Sequence, residues 1–174
     1  MTPVRLELLN ESHLAAVAAM LADPDVLRFT RVPDPTPPAF AEEWLRLYEA
    51  GRREGTREAF AARDGDGRFV GIGLAFDIDR EESEAELGYI VAPDARGRGA
   101  GTAILRALTD WAFAEARLLR LRLVIDTLNP ASLLVAERAG YVREGVMRSV
   151  HFKNGKRIDA VLLSRLQSDP PPPP

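Results

Sequence analysis

Apolar and polar residues alternate over positions 4–9, the period-two pattern of a half-buried strand. Asn10, Glu11 and Ser12 then offer N-cap chemistry to an alanine-rich helix that runs to about residue 22. Asp23-Pro24-Asp25 ends that helix, and 26–30 follow as a short apolar and aromatic segment. The four prolines of 31–38 exclude a helix or central strand there and predict a loop. A second helix is predicted over 38–52, with Phe40, Trp44, Leu47 and Tyr48 near helical spacing on one side. Strands are predicted at 60–63 and 69–78, on either side of the turn Asp64-Gly65-Asp66-Gly67, and at 85–91, stopped by Pro93. A helix over 102–116 leads into a strand at 120–125, where Leu121, Leu123 and Ile125 share a face. A short helix over 131–139 closes on Gly140, a left-handed cap, and strands at 141–147 and 157–163 join through 153–156. The element order is β-α-α-β-β-β-α-β-α-β-β.

With 174 residues, 46% hydrophobic and 28% charged, the chain has the balance of one soluble domain, placed at 1–166. Five consecutive prolines end it, so 167–174 is expected to be a disordered, proline-rich tail. A net charge of −3 argues against a nucleic-acid partner. Cysteine is absent, which removes disulfides, thiolate metal sites and a cysteine acyl-enzyme together. With only His13 and His151 as histidines, a histidine-rich metal site is excluded too, and no metal is expected. No apolar run reaches the ~18 residues of a membrane span, and the N-terminus lacks a signal-peptide layout. The expectation is a cytoplasmic protein with no membrane partner.

The stretch from residue 85 to Thr102 reads as strand, proline stop, glycine-rich turn and helix. Gly97, Gly99 and Gly101 let successive backbone N–H groups converge without Cβ obstruction, and the next helix adds its unpaired first-turn amides. Together they suit a phosphate or pyrophosphate. A dinucleotide fingerprint starting at Gly97 would need glycine where Thr102 stands, and a P-loop would need a nearby lysine. Neither fits.

Arg96-Gly97-Arg98-Gly99-Ala100-Gly101 does match the pattern Arg/Gln-x-x-Gly-x-Gly/Ala, and in this it resembles the acyl-CoA pyrophosphate loop of the Gcn5-related N-acetyltransferase (GNAT) superfamily. A second block, Asn129-Pro-Ala-Ser132 through Gly140-Tyr141, is similar to the Asn-x-x-Ser/Ala…Gly-Phe/Tyr segment of the same superfamily. Serine three residues after asparagine, the segment 25–29 and the ending 155–164 resemble the ribosomal-protein-alanine N-acetyltransferase (RimJ/RimL-like) subfamily. The resemblance spans about 4–164. It implies an α+β, three-layer fold with a mixed, mostly antiparallel sheet of about seven strands and about four helices on its faces. Two departures stand out. Many members carry a tyrosine four residues before the closing glycine and aromatic pair, where this chain has Ala136. The subfamily often has Thr-Glu-Ala where this chain has Thr102-Ala103-Ile104.

The resemblance implies direct acetyl transfer from acetyl-CoA to a primary amine. Backbone groups of Tyr89, Ile90 and Val91 would hold the pantetheine arm as an added strand. Arg96, Gly97, Arg98, Gly99, Ala100, Gly101 and Thr102 would bind the pyrophosphate, mainly through main-chain amides, and Asn129 would bond the pantetheine. Ser132 stands either beside the sulfur as donor or acid, or only as helix-cap chemistry. Glu86 is the candidate base; it shares a strand face with Glu84 and Gly88, opposite Ala85, Leu87 and Tyr89, and its other reading is a solvent-facing carboxylate. Phe29, Trp44 and Tyr48 are candidates for the acceptor pocket, although Trp44 and Tyr48 at helical spacing also read as core. The subfamily resemblance leans towards a protein N-terminal α-amine; small-molecule amines (antibiotic, polyamine or amino acid) and a non-catalytic acyl-CoA-binding domain are the alternatives. It also allows a homodimer through the last strands.

Overall fold

The computed structural model describes residues 3–153 and 155–172. Among these residues seven strands form one sheet: β1 (Arg5–Leu8), β2 (Glu58–Arg63), β3 (Phe69–Asp79), β4 (Glu84–Val91), β5 (Arg120–Asp126), β6 (Val142–Lys153) and β7 (Lys156–Leu166). Their order is β1-β2-β3-β4-β5-β7-β6, with every neighbouring pair antiparallel except β4 and β5, which run parallel. Among the described residues five α-helices accompany them, one more than the sequence suggested: α1 (Leu14–Leu21), α2 (Pro24–Phe29), α3 (Phe40–Glu54), α4 (Ala100–Ala114) and α5 (Pro130–Arg138).

The additional helix is α2, in the segment read as merely apolar and aromatic. Asp23 caps it, its Oδ1 accepting the N–H groups of Asp25 and Val26, each at 3.1 Å. Pro24 takes the first helical position, where a missing N–H is harmless. A short 3-10 turn, Glu11–His13, capped by Asn10 Oδ1 on the Ser12 N–H at 2.9 Å, leads into α1.

Period-two alternation divides the core between the two faces of the sheet. Ala85, Leu87, Leu121, Leu123 and Ile125 pack with Leu105 and Leu108 of α4 and Ala136 of α5. On the other face Ile72, Leu74 and Ile90 meet Val17 and Leu21 of α1 and Leu45 and Tyr48 of α3. Each leucine fully withdrawn from water in this way contributes about 1.5–3 kcal/mol. Among the described residues, no helix is long and apolar enough to cross a membrane. After β7 the chain turns, Asp169 accepting the Leu166 N–H at 2.8 Å, and the Pro170 carbonyl accepts from Arg165 Nη2 at 3.4 Å. Residues 173–174 of the expected tail, and Asn154 of the β6–β7 connection, lie outside the described residues.

Candidate active site

The parallel pair β4 and β5 does not stay paired. Its register covers only Glu84 to Glu86 opposite Arg120 to Arg122, although β4 continues to Val91 and β5 to Asp126. Beyond Glu86 the strands part. β4 keeps β3 on its other side through Val91, and β5 keeps β7 through Asp126. The β4 edge facing the split therefore offers backbone donors and acceptors to an extended ligand, and an added strand is the kind of partner that satisfies them.

At the far end of β4, residues 93–95 form a 3-10 turn and the chain reaches the N-terminus of α4. Gly97 (φ +73) and Gly99 (φ +83) occupy the left-handed region, and a Cβ built at Gly97 would meet nothing within 4 Å. Gly99 is the N-cap, so no side chain covers the first-turn amides of this 15-residue helix. Those amides and the positive end of the helix dipole face an open, exposed loop suited to an anion. Gly101 also makes room for its neighbours: a Cβ there would press on Val135 at 3.2 Å and on the Tyr89 ring at 3.4 Å.

Glu86 sits at the apex of the split, on the sheet face that α1 to α3 only partly cover. It is 8% exposed, not the solvent-facing carboxylate of the bland reading. Arg122, its register partner on β5, donates from Nε to Glu86 at 3.3 Å and from Nη1 to Glu84 at 2.6 Å. Burial nevertheless pushes the Glu86 carboxyl above the usual range, against the pull of Arg122. The same polar face continues through Arg120, which grips Glu144 with two bonds of 2.8 and 2.9 Å, while Ser164 donates to Glu144 at 2.6 Å.

On the opposite face, Asn129 caps α5, its Oδ1 accepting the Ser132 N–H at 3.1 Å. The cap is thus Asn129, and the Ser132 hydroxyl is free for other use. It lies 2.7 Å from the Tyr89 hydroxyl, a contact that bridges β4 and α5. Burial pushes the Tyr89 hydroxyl up to about 12. Base candidate and hydroxyl pair therefore approach the split from opposite faces of the sheet.

The remaining expected site residues differ in exposure and partners. Arg96 turns away from the anion loop and pairs with Asp23 at 2.6 Å and Asp25 at 3.2 Å, which ties the loop to the start of α2. This pairing also holds the Asp23 carboxyl below its ordinary value. Arg98 is exposed, Ala100 half-buried and Thr102 buried. Tyr48 is a core residue, 3% exposed, so the acceptor pocket expected of it is closed to its side chain. Trp44 is half-buried, packed edge-on against Tyr48 at 5.0 Å, and Phe29 is half-buried at the end of α2. His151 approaches Arg31 at 3.5 Å. Two contributors escaped the sequence reading. Only the β4–β5 register reveals the partner of Arg122, and the resemblance gives Tyr89 a backbone role alone. Among the described residues, no group of three or more His, Cys, Asp or Glu could hold a metal ion.

A mixed sheet that splits beside a glycine-led helix N-terminus with no side-chain cap sets an open strand edge next to an anion-suited loop. The chain belongs to the acetyltransferase (GNAT) domain family, which it matches over residues 4–142. It is 34% identical over 104 residues to YdaF, a candidate ribosomal N-acetyltransferase of Bacillus subtilis (strain 168), an alignment covering 60% of this chain and 57% of that protein. The chain thus spans little more than half the length of that relative. It is 25% identical over 127 residues to spermidine N(1)-acetyltransferase of Vibrio cholerae, covering 73% of each. The fold superimposes with a TM-score of 0.83 on a crystal structure of spermidine N-acetyltransferase from Vibrio cholerae in complex with CoA and spermine, at 22% identity over 95% of this chain and 96% of that one.

Proposed function

We propose that the chain is an acetyl-CoA-dependent N-acetyltransferase whose acceptor is a primary amine of a small molecule, with a polyamine as the first candidate. The observation that carries the reading is the split between β4 and β5, with the anion loop at one end and buried Glu86 at its apex. Recurrence of spermidine N(1)-acetyltransferases among the relatives, from Vibrio cholerae and Escherichia coli, supports the polyamine over the protein N-terminus to which the sequence leaned. The N-terminal α-amine remains the second reading, favoured by the 34% identity to YdaF.

The donor fits the residues present. Main-chain amides from Gly97 to Thr102 would hold its pyrophosphate, with Arg98 at the rim and Arg96 keeping the loop against α2. Backbone groups of Tyr89, Ile90 and Val91, on the unpaired edge of β4, would hold the pantetheine arm, and Asn129 would flank it. Acetyl-CoA supplies the activated acyl group when bound. Glu86 would take the amine proton from one face, directly or through water, and Ser132 would meet the departing sulfur from the other. Phe29 and Trp44 would border the acceptor. A carboxylate with a raised proton affinity suits a base acting near neutral pH, because it can hold the proton it removes.

Free-thiol release from acetyl-CoA, measured with spermidine, spermine and peptides bearing free N-termini, tests the assignment. Turnover on a polyamine is expected; turnover on peptides alone would overturn the acceptor and leave the donor site standing. A pH profile adds an independent check. An alkyl amine ionises near ~10.4 and an α-amine near ~8, so the rate on a polyamine should keep climbing above pH 8.

A further inference from the structure

We propose that Tyr89 is the positioning residue for Ser132: its hydroxyl donates to Ser132 Oγ and thereby aims the serine's own proton at the sulfur of the bound donor. This rests on the acetyl-CoA reading above but is independent of which amine is the acceptor.

A serine hydroxyl turns freely about its C–O bond and carries one donor and two acceptor lone pairs. Left alone near the split, Ser132 could spend its proton on any nearby oxygen. Its backbone N–H is already taken by Asn129, so the hydroxyl is the one group it can direct. The 2.7 Å contact with Tyr89 settles its orientation if the tyrosine is the donor. Tyr89 has a single proton to give, and Ser132 Oγ at 2.7 Å is a much nearer acceptor than the Ser132 carbonyl at 3.4 Å, so the proton goes to Oγ. Burial also keeps that hydroxyl protonated throughout the physiological range. With one lone pair of Ser132 occupied by the tyrosine, the serine proton is left for a different acceptor.

Packing holds the tyrosine to this task. Its ring lies under the first turn of α4, where a Cβ at Gly101 would come within 3.4 Å of it and within 3.2 Å of Val135. Glycine at 101 therefore serves both the anion loop and the seat of Tyr89. The ring alternates with Glu86 and Gly88 along β4, so it reaches the face opposite the base. At the position four residues before Gly140, buried Ala136 offers no hydroxyl, and the Tyr89–Ser132 pair is the hydroxyl pair bridging β4 and α5.

The pair acts without changing its own protonation. As the C–N bond forms and the C–S bond breaks, the electron pair goes to sulfur and the amine's proton goes to Glu86 or water. A thiol ionises near ~8.5, far below the tyrosine, so moving a proton from Tyr89 to the thiolate would run uphill. The serine hydrogen bond eases the departure of sulfur, and the sulfur takes its proton afterwards from solvent.

Titration calorimetry with CoA and with desulfo-CoA, in which hydrogen replaces the thiol, reads the contact without turnover. The parent should bind CoA about fivefold more tightly than desulfo-CoA, the worth of one modest hydrogen bond. Tyr89→Phe keeps the ring and Ser132→Ala keeps the helix cap, and both should lose that preference while binding desulfo-CoA as the parent does. Each should lower kcat on the best acceptor about tenfold with little change in the KM for acetyl-CoA, and the double variant should be no worse than Ser132→Ala. A preference retained in Tyr89→Phe, or absent in the parent, overturns the proposal, as does a double variant that multiplies the two single losses. Failure of the parent to bind either nucleotide would instead remove the acetyl-CoA reading itself. Binding of both with no turnover on any amine would remove the acceptor assignment and leave the calorimetric comparison to decide the role of Tyr89.

Discussion

Replacing Arg122 with methionine removes the cation that Glu86 faces across the β4–β5 pair while keeping an unbranched, apolar side chain of similar reach. Arg122 Nε is 3.3 Å from Glu86, and the same guanidinium reaches Glu84 at 2.6 Å and Asp77 at 3.7 Å. At that separation, with an effective dielectric constant of about 20, the attraction is at most about 5 kcal/mol. The usable figure is smaller because three carboxylates share one cation; a charge-assisted hydrogen bond is worth about 1.5–3 kcal/mol. At about 1.4 kcal/mol per pH unit, its loss should move the acid limb of kcat/KM upward by about one to two pH units. Arg31 also favours ionised Glu86 and Asp77 opposes it, so the limb should shift rather than vanish. The assay is kcat/KM for acetyl transfer from pH 5 to 9, with Glu86→Gln expected to abolish the limb. Stability gives a second reading of the same charge. A carboxyl raised in the folded state stabilises the fold at low pH and loses that contribution as pH rises from its unfolded value through the raised one. Arg122→Met should therefore cost more stability at pH 8 than at pH 5 in urea. An acid limb that stays in place in Arg122→Met, or a full rate in Glu86→Gln, would refute Glu86 as the base.

Other substitutions test the frame around the site. Gly71→Ala should destabilise the chain by roughly 2–4 kcal/mol in urea, because a Cβ there runs into the Ile90 carbonyl oxygen with φ at +147. Asn129→Ala should cost about 1 kcal/mol through loss of the α5 cap and raise the KM for acetyl-CoA, both readable from one purified variant. Glu144 is held down to about 2, first by Arg120 and then by Ser164, so its contribution is present above the ordinary carboxylate value of 4.5 and lost as pH falls towards 2. Glu144→Gln should flatten that stretch of an acid-unfolding curve; an unchanged curve would show that the pair adds nothing to the folded state.

Most elements of this chain are legible in the sequence, because they rest on interactions within a few residues. Alternation along 4–9 marked β1, Asp64 to Gly67 marked the β2–β3 turn, and the glycines at 97, 99 and 101 marked the turn into α4. Even α2 has its signal in place, an Asp-Pro pair of N-cap and first helical residue, which serves equally well as the end of the preceding helix. The chemistry of the site was legible as residue types: a glutamate on β4, and an asparagine and serine opening α5.

What each of those residues faces was decided only by the tertiary structure. Glu86 stands opposite Arg122, 36 residues away, because β4 and β5 pair in one register and then part. Tyr89 meets Ser132 across 43 residues because α4 and α5 pack the same face of the sheet. Arg96, written into the loop motif, is drawn off by Asp23, 73 residues earlier. Tyr48, whose helical spacing left core and acceptor pocket both open, is enclosed by α1 and the sheet. Helix caps, turns and alternation are settled by φ and ψ preferences and by neighbours a few positions apart, so sequence alone determines them. Strand register and the depth at which a charge is buried depend on contacts between distant segments, which exist only once the sheet has closed.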